Sequence, residues 1–161
     1  MKEKEIITHY TEYHSQTELP ETDKKLMDSA VEAAGNAYAP YSQFMVGAAI
    51  LLDDGTVVKG ANVENAAFPS GSCAEKTALS WFVSNYPDRW AVAIAITALS
   101  GGKMTSEPVP PCGNCRQMLL EEEQRTGKPV RIILAGKEKI IVVNNCESLM
   151  PLHFNKSNLN R

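Results

Sequence analysis

Apolar residues recur along this chain with two different spacings, which predicts helices alternating with strands. From Glu21 to about Tyr38 they return every three or four positions, the spacing of an amphipathic helix. The apolar run Phe44–Leu52 is followed by Asp53-Asp54-Gly55 and then by residues 56–61, a pattern that predicts a β-hairpin. The nearly continuous apolar stretch 90–98 is typical of a strand that is covered on both faces.

The second half of the chain continues the alternation. Helices are predicted over 72–84 and 113–125, strands over 130–134 and 139–143, and a short helical turn near 147–150. Together with the first half, this gives the order α-β-β-α-β-α-β-β-α. A hairpin followed by alternating helices and strands predicts one mixed sheet with helices on both faces.

Composition narrows the classes of partner. The 161 residues are 43% apolar and carry a net charge of −3, with a pI of about 5.6, which disfavours a nucleic-acid polymer or an anionic membrane as partner. No apolar run approaches the roughly 20 residues of a membrane span, and the N-terminus has no signal-peptide pattern. We therefore expect a cytoplasmic protein with a polar N-terminal extension over 1–20, holding at most one short element, and a single catalytic domain over 21–161.

The four cysteines are unevenly spaced. Cys112 and Cys115 form a C-x-x-C motif, Cys73 lies 39 residues before it, and Cys146 stands apart. In a reducing compartment, such a pattern indicates metal binding or redox chemistry before structural disulfides.

Both cysteine motifs lie where a loop is predicted to enter a helix. Free backbone N–H groups and the helix dipole favour thiolates there, and the thiolate is the form that binds zinc. Three thiolates leave one tetrahedral position of Zn²⁺ for water, and Glu75 follows Cys73 closely enough to reach that water without being a ligand. A C-A-E motif followed by P-C-x-x-C is typical of zinc deaminases.

Two plainer interpretations compete with a zinc centre. Ser72-x-x-Glu75 also fits a capping box, in which Glu75 serves only its own helix. The C-x-x-C motif alone also fits a thioredoxin-like redox pair, although it comes late in the chain and has a third cysteine upstream. Cys146 and the three histidines match no ligand pattern and receive no metal role.

The stretch from about Leu26 to Phe154 resembles the small cytidine deaminases that act on free nucleosides. The segments that carry the resemblance are YSQFMVGAA (41–49), NVENA (62–66), CAE (73–75), PCGNCRQ (111–117) and LMPLHF (149–154). The resemblance implies a three-layer α/β/α sandwich around a five-stranded mixed sheet.

The resemblance also implies a reaction and a cofactor. Cys73, Cys112 and Cys115 would bind Zn²⁺, and Glu75 would transfer protons during hydrolytic deamination. The expected conversion is of cytidine and 2′-deoxycytidine to uridine and deoxyuridine with release of ammonia, as in pyrimidine salvage.

Four further residues receive substrate roles from the resemblance. Asn62 and Glu64 would hydrogen-bond the ribose, a pairing that suits vicinal hydroxyls, and Phe44 would pack against the pyrimidine. Phe154 would reach the site of a neighbouring subunit in a homotetramer. The alternatives are a core position for Phe44, a polar turn over 62–65, and a Phe154 folded onto its own subunit.

One position beside the metal ligands departs from the family. Lys76 stands where an arginine is usual, and a three-thiolate zinc centre with a net charge of −1 needs cations that draw charge off the sulfurs. We expect Lys76 and Arg116 to supply them, the alternative for Lys76 being a solvated lysine. For the whole protein, the alternatives are an aminohydrolase of another aminopyrimidine nucleoside, such as a nucleoside antibiotic, and a non-catalytic zinc-stabilised binding module.

Overall fold

The apolar segments pair into a single mixed sheet in the computed structural model, which describes residues 1–159. The strands found in that range are β1 (Thr11–Tyr13), β2 (Phe44–Leu52), β3 (Val57–Ala61), β4 (Ala91–Ser100), β5 (Lys103–Met104), β6 (Arg131–Ala135) and β7 (Ile140–Val143). They lie in the order β1-β7-β6-β4-β2-β3, and β5 pairs with β4. The β4–β6 pair is parallel and the other pairs are antiparallel.

Three α-helices cover the two faces of this sheet. They are α1 (Glu21–Gly35), α2 (Ala74–Asn85) and α3 (Gly113–Thr126), and short 3₁₀ helices cover Gln16–Glu18, Phe68–Ser70, Glu147–Leu149 and Lys156–Asn158. One core cluster joins α2 and α3 to one face, and a second joins α1 to the other. The predicted three-layer sandwich is therefore confirmed. Within residues 1–159, no helix is both long and apolar enough to cross a membrane.

The sheet contains two short strands beyond the five that were predicted. β1 pairs with β7 at the sheet edge, and β5 folds back on β4 through a turn in which Gly101 and Gly102 both have positive φ. Strands of two or three residues are too short to show a period of two in the sequence. The expectation of at most one short element before residue 20 was also wrong, since β1 and a 3₁₀ helix both lie there. The proposed boundary between extension and domain stays a prediction.

The first helix ends three residues earlier than predicted. α1 stops at Gly35 because the chain beyond it pairs with the segment that follows β3. The Tyr38 N–H donates to the Asn62 carbonyl at 3.0 Å, and the Glu64 N–H donates to the Tyr38 carbonyl at 2.8 Å. This pairing outcompetes a further helical turn, and it fixes the backbone that carries Asn62 and Glu64.

Glycines let two helices approach the sheet closely. A Cβ added at Gly47 would lie 2.0 Å from the Ala30 carbonyl oxygen of α1. A Cβ added at Gly60 would lie 2.5 Å from the Ala74 carbonyl oxygen of α2. Only a residue without a side chain fits at these contacts. The contact at Gly60 fixes the N-terminal turn of α2 against β3.

Candidate active site

The N-termini of α2 and α3 meet and bring three cysteines together. Cys73 is the N-cap of α2, Cys112 is the N-cap of α3, and Cys115 lies in the first turn of α3. All three Sγ atoms lie within 4.8 Å of one another, and those of Cys112 and Cys115 are 3.6 Å apart. The predicted position of both motifs at loop-to-helix junctions is therefore correct.

This cluster fits a tetrahedral thiophilic metal. A zinc–sulfur bond of about 2.3 Å places tetrahedral ligand sulfurs roughly 3.8 Å apart, close to the spacing found here. Burial raises the pKa of the Cys73 thiol and of the Cys115 thiol, whereas the Cys115 backbone N–H lowers the pKa of Cys112. Thiols that resist ionisation alone become thiolates when a cation lies among them, so the donor set suits a metal dication.

Glu75 lies beside this cluster in the first turn of α2. Its residue surface is only 6% exposed, and burial raises the pKa of its carboxyl group. No side-chain hydrogen bond caps α2, whose residues are all described, and the Ser72 hydroxyl accepts instead from the Thr77 hydroxyl at 3.1 Å. The capping-box interpretation is therefore wrong. A buried carboxyl with a raised pKa suits general acid–base chemistry near neutral pH.

One cavity of 640 Å³ connects this cluster with the predicted sugar-binding residues. Its walls combine the polar and thiol groups with apolar side chains, as small-molecule sites usually do. The polar and thiol-bearing lining residues are Tyr41, Ser42, Asn62, Glu64, Asn65, Ser72, Cys73, Glu75 and Cys112. The apolar lining includes Val46, Val63, Phe68, Ile96, Val109 and Pro110.

The side chains of Asn62 and Glu64 are held firmly at the cavity wall. The Asn62 amide donates to the Phe44 carbonyl at 3.0 Å, and its oxygen accepts from the Val46 N–H at 2.7 Å. Glu64 Oε2 accepts from the N–H groups of Tyr41 and Ser42, at 2.8 and 3.2 Å. These bonds are more specific than those of a plain polar turn.

Two residues with predicted substrate roles lie outside the cavity. Phe44 and Phe154 are absent from the cavity lining of residues 1–159. Phe44 is half-buried at the start of β2, and Phe154 is 58% exposed, with its carbonyl bound by Gln117 at 3.0 Å. This exposure of Phe154 argues against a buried position on its own subunit.

Within residues 1–159, neither of the two predicted cationic supports donates a hydrogen bond to a cysteine sulfur. Lys76 is exposed and makes no ion pair within the described part of the chain. The Arg116 guanidinium donates to the Pro111 carbonyl at 2.8 Å and to the Leu149 carbonyl at 3.0 Å. Arg116 thus braces the loop that precedes Cys112 against the C-terminal segment. Their electrostatic role stays a prediction.

Sequence reasoning gave no role to Tyr41 and Ser42, although the motif that contains them was noted. Both line the cavity, and their backbone N–H groups bind Glu64. The available signal was a polar segment, 41–43, directly before an apolar strand. Val109 and Pro110 also line the cavity without having been predicted to do so. They lie in a proline-rich loop, and a loop has no sequence periodicity from which its position could be predicted.

Comparison with known proteins identifies the family. A sequence model described as the cytidine and deoxycytidylate deaminase zinc-binding region matches residues 20–127. This chain belongs to the cytidine and deoxycytidylate deaminase family. The matched region contains the three clustered cysteines and Glu75, so the family assignment and the site geometry agree.

Individual relatives give the same result. The chain is 49% identical over 96 residues to a cytidine deaminase of Halalkalibacterium halodurans, covering 60% of this chain and 68% of the relative. It is 39% identical over 112 residues to one of Mycobacterium tuberculosis, covering 64% and 74%. A cytidine deaminase crystal structure from Burkholderia pseudomallei matches with a TM-score of 0.68 and 37% identity, covering 81% of this chain and 97% of that one. The prediction of an enzyme of this family is confirmed.

Proposed function

We propose that this chain catalyses the zinc-dependent hydrolytic deamination of cytidine and 2′-deoxycytidine, releasing ammonia. The observation that carries the proposal is the buried carboxyl of Glu75 beside a three-thiol cluster that opens on a cavity. A purely structural zinc site is closed by four protein ligands, whereas this cluster supplies three.

In this mechanism Cys73, Cys112 and Cys115 hold the metal. When bound, zinc supplies a Lewis acid that lowers the pKa of water to about 7 in favourable sites. The Glu75 carboxylate accepts one proton from the attacking water and delivers it to N3 of the pyrimidine. It then accepts the remaining proton of the hydroxyl group added at C4 and delivers it to the amine, which leaves as ammonia. Burial raises the pKa of Glu75 and so makes its carboxylate a stronger base for accepting the proton of the attacking water.

The charge of the cavity favours a free nucleoside over a nucleotide. Its lining, as far as residues 1–159 show, contains Glu64 and Glu75 but no lysine or arginine. A 5′-phosphate would therefore meet two carboxyl groups without a cation to bind it. Asn62 and Glu64 offer the amide and carboxylate that suit sugar hydroxyls. Such a reaction belongs to pyrimidine salvage, and the reducing cytoplasm would keep the thiols available.

The base-binding side of the site is proposed to need a second copy of the chain. The exposed Phe154 would enter a neighbouring subunit's cavity within a homotetramer. Phe44, which lies outside the cavity lining, would contact the pyrimidine from its own subunit. Support comes from the exposure of Phe154 on a C-terminal segment that Gln117 and Gln124 tie to α3.

The experiment is an ammonia-release assay on zinc-loaded protein with cytidine and deoxycytidine. The Glu75→Gln variant should keep its zinc and fold but lose about 10²–10⁴-fold in kcat, the usual contribution of proton transfer. Glu121→Gln, at an exposed position of α3, is the matched control and should leave kcat unchanged.

Two results would contradict the proposal. Near-normal turnover by Glu75→Gln would remove Glu75 from the chemistry. Wild-type protein that releases no ammonia from either nucleoside, but does so from another aminopyrimidine nucleoside or from deoxycytidylate, would refute the proposed substrate class.

A further inference from the structure

The Glu64 carboxylate is surrounded by hydrogen-bond donors from one short turn. Besides the backbone N–H groups of Tyr41 and Ser42 on Oε2, the Ser42 hydroxyl binds Oε1. An ionised carboxylate accepts at about four positions, so three donors leave roughly one position for a ligand. The same bonds hold the pKa of Glu64 below its usual value, the Ser42 side chain being the largest cause.

The direction of the Ser42 hydroxyl is itself determined. Its oxygen accepts from the Phe44 N–H at 3.0 Å, so its single proton is directed toward Glu64. Gln43, which lies between Ser42 and Phe44, has a φ of 55°, in the left-handed region that non-glycine residues seldom adopt. A strained backbone conformation of this kind is retained where the surrounding contacts require it, and such residues cluster at ligand sites.

We propose that Ser42 is a positioning residue for sugar recognition, which holds the Glu64 carboxylate in the one orientation that accepts from a ribose hydroxyl. This inference rests on the proposed function, because it assigns the ligand of Glu64. The neighbouring Asn62 amide is oriented by the backbone of Phe44 and Val46. A single segment, Tyr41–Val46, therefore sets both predicted sugar-binding groups before any nucleoside binds.

Preorganisation of this kind lowers the cost of ordering a side chain when a ligand binds. Loss of the Ser42 hydroxyl would leave Glu64 with two backbone donors on one oxygen and a free second oxygen. The carboxylate could then rotate away from the sugar. The effect should fall on binding and not on proton transfer at Glu75.

The kinetic test compares Ser42→Ala with wild type on cytidine and on 2′,3′-dideoxycytidine, which lacks both sugar hydroxyls of interest. We expect KM for cytidine to rise about tenfold, the usual scale for a hydrogen bond to a charged group, with kcat within about twofold. KM for the dideoxy substrate should be the same in both proteins. Ser42→Thr, which keeps a hydroxyl, should restore KM, and Ser84→Ala, an exposed serine of α2, should change nothing.

A double variant tests whether the effect passes through Glu64. Ser42→Ala combined with Glu64→Gln should raise KM for cytidine no further than Glu64→Gln alone. Equal KM increases on both substrates, or fully additive effects, would make Ser42 a general structural residue and overturn the inference.

A structural readout works even without turnover. In a crystal structure of nucleoside-free Ser42→Ala, the Glu64 carboxylate should leave its wild-type orientation; an unchanged orientation would overturn the inference. If wild type fails to deaminate cytidine, the proposed function fails, while this comparison still decides whether Ser42 positions Glu64.

Discussion

Replacing Gly60 with alanine would place a methyl group between β3 and the N-terminal turn of α2. The new Cβ would lie 2.5 Å from the Ala74 carbonyl oxygen, 2.5 Å from the Ala78 nitrogen and 2.8 Å from the Ala78 Cβ. Two of these three atoms belong to the helix backbone, so no side-chain rotation can relieve the overlap. The helix itself must move.

The size of the movement follows from these distances. Ordinary contacts begin near 3.5 Å, so α2 must shift by about 1 Å at this point. Overpacking of a core costs about 1–3 kcal/mol of unfolding free energy, and we expect the upper part of that range. Cys73 and Glu75 lie in the displaced turn, and a displacement of about 1 Å at a reacting group can reduce the rate about 10²-fold.

The measurements are urea unfolding of the metal-free protein and zinc retention against a competing chelator. Gly35→Ala is the matched control, since a Cβ there has no atom within 4 Å and its φ is not positive. Alanine is favoured over glycine in helices by up to about 1 kcal/mol, so the control should be neutral or slightly stabilising.

Two outcomes would count against this reasoning. Unfolding free energies of Gly60→Ala and wild type within about 0.5 kcal/mol would show that α2 accommodates the methyl group freely. A destabilised protein that retains zinc as wild type does would show that the Gly60 contact supports the fold without placing Cys73.

Three other predictions concern the metal and the assembly. Cys115→Ala should lose the single zinc per chain that Cys146→Ala retains, and elemental analysis of both proteins decides it. Lys76→Ala should weaken zinc retention and move the acidic limb of the pH–rate profile upward, whereas Lys76→Arg should match or exceed wild type; an alanine variant equal to wild type in both would remove the lysine from that role. Subunits carrying Phe154→Ala should regain activity when reassembled with Glu75→Gln subunits, because mixed oligomers contain intact sites; no recovery would contradict action in trans.

The long elements could be predicted because the helices bury a periodic apolar face and the long strands β2 and β4 are nearly continuous apolar runs. The bounds of β2 were predicted residue for residue, and α3 differs from its prediction only by one residue at its C-terminal end. β1 could not be predicted, because its three residues are mostly polar and exposed and are fixed by pairing with the edge of β7. Its formation depends on a partner strand more than a hundred residues away in the chain, and the local sequence pattern cannot predict such a pairing.

Part of the candidate site could likewise be predicted from the sequence, and part could not. The three cysteines and Glu75 are identifiable because their chemistry depends on residue type and on position at a helix start. The bonds between Ser42 and Glu64 join residues that are 22 positions apart in the sequence. They accompany a positive φ at Gln43, which cannot be predicted from a glutamine. The hydrogen bonds of Arg116 likewise depend on where the C-terminal segment lies.

The placement of charge around the cysteines changes how the metal centre must be understood. A divalent cation held by three thiolates would carry a net charge of −1. The two cationic side chains next to the cysteines in the sequence are directed elsewhere: Lys76 to solvent, Arg116 to backbone carbonyls. Positive potential at the cysteines then comes from the N-termini of α2 and α3, whose N-cap residues are Cys73 and Cys112. The fold fixes these helix dipoles, so the positive potential at the cysteines does not depend on Lys76 alone. The exposed Lys76 can only increase it. An arginine at that position would present a planar set of donors in place of a point charge, and this is the physical difference that the Lys76 variants measure.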